Sequence, residues 1–310
     1  MNKYLSSLLL LTTPILWGLA FSAQKDVSAL GAFTIGSIRS ILATVFLFLA
    51  IPLLDKVTGN GRRLFGRRGL DFNRSELIGG VACGAVLALG SALQQSGICD
   101  GADAGKAAFI SALYVIIVPI MYLALGKKSP VTVWISVLIA VVGFYLLSIK
   151  QGFSVELTDL IILISAAVFA GHIIVIDYFS PRCDGVRLSC IQFLTAAVVN
   201  TIVALIAESP IDLSLIAEKL PSLAYLGICS SGIAYTVQII CQRSTPPAVA
   251  STILSLESVF GALGAAFIHG ERMTEREYLG CAIVFAAVIL AQIDFKEIIN
   301  NLKNKKKSNN

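Results

Sequence analysis

Charge is scarce in this chain of 310 residues. Asp, Glu, Lys and Arg together make up 14% of it, where soluble domains carry about a quarter. With 56% hydrophobic residues and a mean hydropathy of +0.82, the chain is built for lipid rather than for a water-soluble core. Histidine is nearly absent, with His172 and His269 as the two examples. No HExxH and no GxSxG occurs, so the metal set and the activated nucleophile that a membrane-embedded enzyme would need are missing. No catalytic residue and no metal ligand is therefore assigned, and an enzyme is not expected. No Gly-Lys-Ser/Thr phosphate loop occurs either, so neither ATP nor another cofactor is expected. The seven cysteines include no CxxC pair, which argues against a zinc site or a disulfide framework. They read as small apolar fillers. Lys and Arg do not cluster with aromatics on one face, so a nucleic-acid partner is not expected.

Long apolar runs are abundant. Each crossing of about 30 Å of hydrocarbon needs about twenty apolar residues. Ten such runs follow one another: Leu5–Ala23, Gly31–Leu54, Leu77–Gly97, Ala104–Leu125, Val131–Ile149, Leu157–Tyr178, Leu188–Ala207, Ser222–Cys241, Ala248–Ile268 and Tyr278–Phe295. The expected fold is an all-α integral membrane protein with ten transmembrane helices.

The two halves echo one another. At an offset of 143 residues, Gln95 falls on Gln238, Ala107 on Ala250, Leu113 on Leu256 and Tyr114 on Glu257. Earlier in the chain an offset of 153 sets Gly18 on Gly171 and Arg39 on Gln192. Residues 1–150 and 151–296 thus read as two five-helix repeats, followed by a basic tail at 297–310 expected to be disordered. Five is odd, so the second copy enters the membrane in the opposite sense. The expectation is two inverted repeats.

Basic residues orient the chain. With both termini in the cytoplasm, 17 of the 24 Lys and Arg fall on the inner side, six on the outer, and Arg39 within a span. The positive-inside rule favours this arrangement and a cell-membrane location. The loop Thr58–Gly69 then reads as a cytoplasmic connector. Small residues at four-residue spacing (Gly80 and Gly84, Gly227 and Ser231, Gly261 and Ala265) suit close helix packing within the bundle, with a homodimer contact as the other reading.

Trp17-Gly18, the stretch Ala102–Pro119 and the stretch Thr245–Arg272 together resemble the drug/metabolite transporter superfamily of the EamA type. The resemblance runs from about Leu8 to Gln292. One departure is visible: Ser258 follows Glu257 where many relatives have proline, which leaves the kink a proline would impose without its cause. The resemblance implies a ten-helix secondary carrier of a small polar metabolite working by alternating access. Export of an amino acid or related compound is the leading expectation, and import of a quaternary amine such as choline the alternative. A non-transporting scaffold would be expected to carry a soluble domain.

Ionisable groups inside hydrocarbon are costly and so are candidates for function. Arg39 and Glu257 reach similar depths from opposite sides. Arg39 would hold a substrate carboxylate, or pair with Glu257 when the site is empty. Glu257 would hold an ammonium group or carry a coupling proton. A permanent structural ion pair is the competing reading. His172 is a second proton-coupling candidate, because imidazole titrates near neutrality. Otherwise it is a neutral side chain bonded between helices. Gln95 and Gln238 would bond a polar substrate or glue helices together. Trp17, Tyr114 and Tyr235 would form an aromatic wall against an ammonium, or pack against lipid.

Overall fold

The structure, a computed structural model, describes residues 3–57, 69–148, 156–269 and 273–293. Residues 58–68 of the expected connector, the basic tail and Phe295 lie outside the described residues. Among the described residues every regular element is helical.

Eight helical stretches are long and apolar enough to cross a membrane: Leu5–Asp26, Ala32–Lys56, Arg74–Cys99, Ala104–Ala124, Leu157–Arg182, Gly185–Ala207, Leu220–Gln242 and Pro247–Gly264. They are spans 1 to 4 and 6 to 9. Span 5, Val131–Leu147, is shorter. Span 10, Glu275–Gln292, opens on Glu275, Arg276 and Glu277, behind Thr274, which caps it through a reciprocal capping box. Its first turn is thus polar, whereas the remainder is apolar. Within a few residues, these are the ten runs expected from the sequence.

The burial pattern is inverted relative to a water-soluble protein. Arg39, Glu257, His172, Gln94, Gln95, Gln192 and Gln238 are buried. Leu49, Leu138, Leu205, Ile206 and Phe267 are exposed. Exposed apolar surface on this scale marks contact with something other than water. Together with the span lengths it makes the chain a multi-pass membrane protein.

Helix pairing has an internal symmetry. Span 5 packs along span 10, and span 2 along span 7. Span 3 packs on spans 6 and 7, and span 8 on spans 1 and 2. Span 4 packs on spans 6 and 9, and span 9 on spans 1 and 4. Exchanging each helix of one half for its counterpart in the other leaves this set unchanged. The span 5–span 10 seam brings backbones together. A Cβ on Gly143 would lie 2.9 Å from the Gly280 carbonyl oxygen, and one on Gly280 would lie 2.7 Å from the Gly143 oxygen. Gly80 and Gly84 face span 7, Gly227 faces Arg39 and Leu42, and Gly261 faces Gly18. These small residues are therefore used for packing inside the bundle.

The span 2–span 7 contact is tied at both ends, and the ties occupy repeat-related positions. At one end Asp55 pairs with the buried Arg187 at 2.9 Å. Arg187 also donates to the Gly69 carbonyl at 2.7 Å and lies 3.7 Å from Asp184. At the other end Glu208 accepts from the Phe33 and Thr34 amides at 2.9 and 2.7 Å and from the Thr34 hydroxyl at 2.7 Å. Glu208 thereby satisfies free N–H groups and complements the positive end of span 2. Its approach requires Gly31, which has φ of 84° and where a Cβ would stand 2.6 Å from the Glu208 carboxyl carbon. The offset of 153 carries Asp55 onto Glu208 and Thr34 onto Arg187.

Candidate functional site

Three spans depart from regular α geometry. Span 4 is broken at Leu113, between Ala104–Ala112 and Tyr114–Ala124. Around the break Leu113 N–H bonds Ile110 O and Ile116 N–H bonds Leu113 O, the tightened i→i−3 pattern. Pro119 follows within the second segment. It removes an amide donor and presses on the preceding turn.

Span 9 breaks between Leu254 and Glu257. Its cause is a run of hydroxyls in place of proline. Ser251, Thr252, Ser255 and Ser258 each donate to a carbonyl three or four residues back, at 2.8 to 3.0 Å. Such back-bonding competes with the helix ladder and bends it. The break occurs although Ser258 stands in place of proline. Tyr114 and Glu257, the repeat-related pair, each open the second segment of their broken span.

Span 8 winds as a π-helix from Tyr225 to Tyr235 before returning to α-helix at Thr236. Three bonds tie it to span 1. Thr13 Oγ1 donates to Ala234 O at 3.1 Å, Trp17 Nε1 to Ser230 O at 3.0 Å, and Tyr225 Oη to Leu16 O at 2.8 Å.

These irregular segments border a central cavity. Trp17, Ala20, Phe21 and Gln24 line it from span 1, Arg39 from span 2, and Ser91 and Gln94 from span 3. Tyr114 comes from span 4, Phe169, His172 and Ile173 from span 6, Ser230, Tyr235 and Gln238 from span 8, and Glu257 from span 9. Trp17 and Gln24 lie on one helix face seven residues apart, about 10 Å along the axis.

Arg39 occupies the aromatic part of this cavity. Its Nε donates to Ser231 Oγ at 3.0 Å and its Nη2 to Ser230 Oγ at 3.4 Å. Among the described residues no carboxylate forms an ion pair with it. Trp17 and Tyr235 stand with ring centroids 4.6 Å apart, and Phe193 backs Tyr235 at 5.6 Å.

Glu257 is buried beside Tyr114. The two groups are neighbours, and the Tyr114 hydroxyl forms no hydrogen bond among the described residues. His172 Nε2 is 3.0 Å from Gln192 Oε1, and the imidazole edge meets Tyr235 at 5.8 Å. At the Gln24 end, Gln24 Nε2 donates to Gln94 Oε1 at 3.1 Å and Gln94 Nε2 to Ser111 Oγ at 2.8 Å. This chain crosses spans 1, 3 and 4.

Of the residues singled out in the sequence, Trp17, Arg39, Tyr114, His172, Tyr235, Gln238 and Glu257 line the cavity. Gln95 does not. It turns toward span 1 and donates to Gln24 O at 3.1 Å, while its neighbour Gln94 takes the lining position. Neighbours on a helix diverge by about 100°, so Gln94 and Gln95 cannot both face the cavity. Nor does the expected Arg39–Glu257 pair form. Each has hydroxyl neighbours of its own, the serines for Arg39 and Tyr114 for Glu257.

A membrane bundle with buried charge at a central cavity has the construction of a membrane transporter. Residues 156–292 match the EamA-like transporter family. That match takes in spans 6 to 10, so the second half of the chain is similar to this family. An uncharacterized transporter of Archaeoglobus fulgidus is 26% identical over 284 residues, which span 90% of this chain and 83% of that protein. A solved crystal structure of a protein at 14% identity superposes with a TM-score of 0.74, covering 94% of this chain and 97% of that one. At that identity the likeness concerns the fold alone.

Proposed function

We propose that this chain is a secondary carrier that moves an amino acid or related carboxylate-bearing metabolite across the cytoplasmic membrane. The single observation that carries this reading is Arg39, a buried guanidinium on a central cavity with hydroxyl neighbours and, among the described residues, no carboxylate partner. A buried charge left without a counter-charge is strongly unfavourable, so an incoming carboxylate is stabilised there. Glu257 on the same cavity is the complementary group for a substrate ammonium, or for a coupling proton, with His172 as a second proton carrier. Gln238 supplies a neutral polar contact. Export is the direction implied by the family resemblance.

The symmetric helix pairing supports a division into inverted repeats at 1–150 and 151–296. Alternating access then comes from rocking one repeat against the other around the cavity. Basic-residue placement supports cytoplasmic termini and a cell-membrane location.

A second reading has its own observation. The Trp17–Tyr235 pair and Tyr114 line the cavity near Glu257, which suits a quaternary amine such as choline.

Thermal stabilisation of the purified protein separates the two. A ligand that binds only the folded form stabilises it by about 2.7 kcal/mol at a hundredfold excess over Kd. Zwitterionic amino acids should raise Tm in the native protein and leave it unmoved in Arg39→Gln. A shift with choline alone would overturn the carboxylate reading.

A further inference from the structure

Arg39 does not stand alone. Its Nε–H bonds Ser231 Oγ and one Nη2 N–H bonds Ser230 Oγ, at 3.0 and 3.4 Å. A guanidinium has five N–H donors in a rigid fork. Two are thus engaged along the side edge of the fork. The three that remain are both hydrogens of Nη1 and one of Nη2; one from each nitrogen forms the end edge, and the other Nη1 hydrogen points back toward Cδ. A carboxylate can take a bidentate pair from that edge alone without displacing a serine.

The two hydroxyls sit on consecutive residues. On a regular α-helix successive side chains diverge by about 100°, and neighbours in sequence do not share a face. In the π-helical stretch Tyr225–Tyr235 the bonds run i→i+5. The wider winding turns successive side chains through a smaller angle, so both hydroxyls reach one guanidinium. Ser230 has a second duty, because its carbonyl accepts from Trp17 Nε1 at 3.0 Å. Arg39 and the aromatic wall are therefore registered to one another through a single residue. Ser230 and Ser231 are themselves buried.

We infer that Ser230 and Ser231 are positioning residues that fix the Arg39 guanidinium for end-on capture of a substrate carboxylate, so that the π-helical stretch sets the preference for a carboxylate-bearing ligand over the same molecule without its carboxylate. This rests on the carboxylate reading of the cavity given above. The geometry also makes lysine a poor substitute for Arg39. An ammonium is a point charge with three donors, and it cannot hold two serines while offering a bidentate edge.

The experiment uses the full-length protein with two matched probes, L-leucine and its decarboxylated analogue 3-methylbutylamine. Affinities are measured for the native chain, Arg39→Gln, Ser231→Ala, Ser231→Thr and the double variant Ser230→Ala/Ser231→Ala. Hydrogen bonds to charged groups are worth enough that losing their orienting effect should weaken L-leucine about tenfold in the double variant. Binding of 3-methylbutylamine should stay within twofold, which also reports that the variant is folded. Ser231→Thr keeps the hydroxyl and should recover most of the L-leucine affinity. If the double variant binds L-leucine like the native chain while Arg39→Gln loses it, the positioning role is wrong and the carboxylate reading stands. If both probes weaken together in the serine variants, the role is a general structural one and the inference is overturned. If the native chain fails to bind L-leucine, or Arg39→Gln still binds it, the carboxylate reading fails and takes the inference with it.

Discussion

The two ties on the span 2–span 7 contact predict opposite effects from removing one carboxylate or the other. Take Asp55→Asn first. It leaves Arg187, a side chain 4% exposed, with Asp184 at 3.7 Å as its remaining carboxylate. Breaking a fully buried pair costs about 3–5 kcal/mol. Asp55 is 26% exposed, and solvent screening lowers the figure to about 1–2 kcal/mol. If transport rocks one half against the other, that amount shifts the access equilibrium about 5- to 30-fold toward opening at the Asp55 end. Glu208→Gln acts at the other end. It removes a carboxylate that accepts three bonds at the start of span 2, and the loss is about 2 kcal/mol in total. Its opening should be at the Glu208 end.

A cysteine at Ser91, on the cavity wall, reports access in an otherwise cysteine-free chain. A membrane-impermeant thiol reagent is applied from one side of sealed vesicles at a time. Asp55→Asn should raise labelling from the Asp55 side, and Glu208→Gln from the opposite side. If both variants raise labelling from the same side, or if neither changes it in folded protein, the ties do not gate access and the reasoning is refuted.

Other consequences follow from the same geometry. Ser258→Pro should cost under about 1 kcal/mol, because the Ser258 amide makes only a 3.3 Å bond to Ser255 O at the second residue of a helix segment, where proline is tolerated. In a regular helix interior the cost would be about 3 kcal/mol, and a Tm loss of that size would show that the break is not as described. Gly18→Val should be far worse, since even a Cβ there would meet Gly261 N at 2.6 Å. A loss of at least about 1–3 kcal/mol is expected on denaturation, and native-like stability would contradict the span 1–span 9 contact. Gln94→Ala should alter ligand binding more than Gln95→Ala, because Gln94 lines the cavity. Equal effects on affinity would place both outside the site.

Much of this architecture is legible in the residues. Hydrophobic run length locates ten helices because a bilayer imposes a minimum span on every crossing. Scarcity of charge then makes Arg39 and Glu257 conspicuous, and both stand on the cavity. Less legible was anything that depends on helix phase. Gln95 and Gln94 differ by one position, about 100° around the helix, and the rotation of span 3 within the bundle sets which of them faces inward. Ser230, Ser231, Ser91 and Gln24 are ordinary polar residues in apolar runs, and only three-dimensional proximity marks them out. The Asp55 and Glu208 ties were within reach. The 153-residue offset already relates them, and aligning Thr34 with Arg187 in the same register would have exposed the exchange of a hydrogen-bonded cap for an ion pair.

Spans 5 and 10 lean on one another through Gly143 and Gly280 and add no residue to the cavity wall. For chemistry at the site, a four-helix unit twice over would serve. Their contribution is one of parity. With four crossings per unit, a second copy would begin on the same side as the first, and the break in span 9 would open toward the same compartment as the break in span 4. On the inverted-repeat division proposed above, a fifth crossing reverses the second copy, so that Glu257 descends from one face while Tyr114 descends from the other. A helix that touches no substrate would thus determine that one duplicated wall can be served from two compartments.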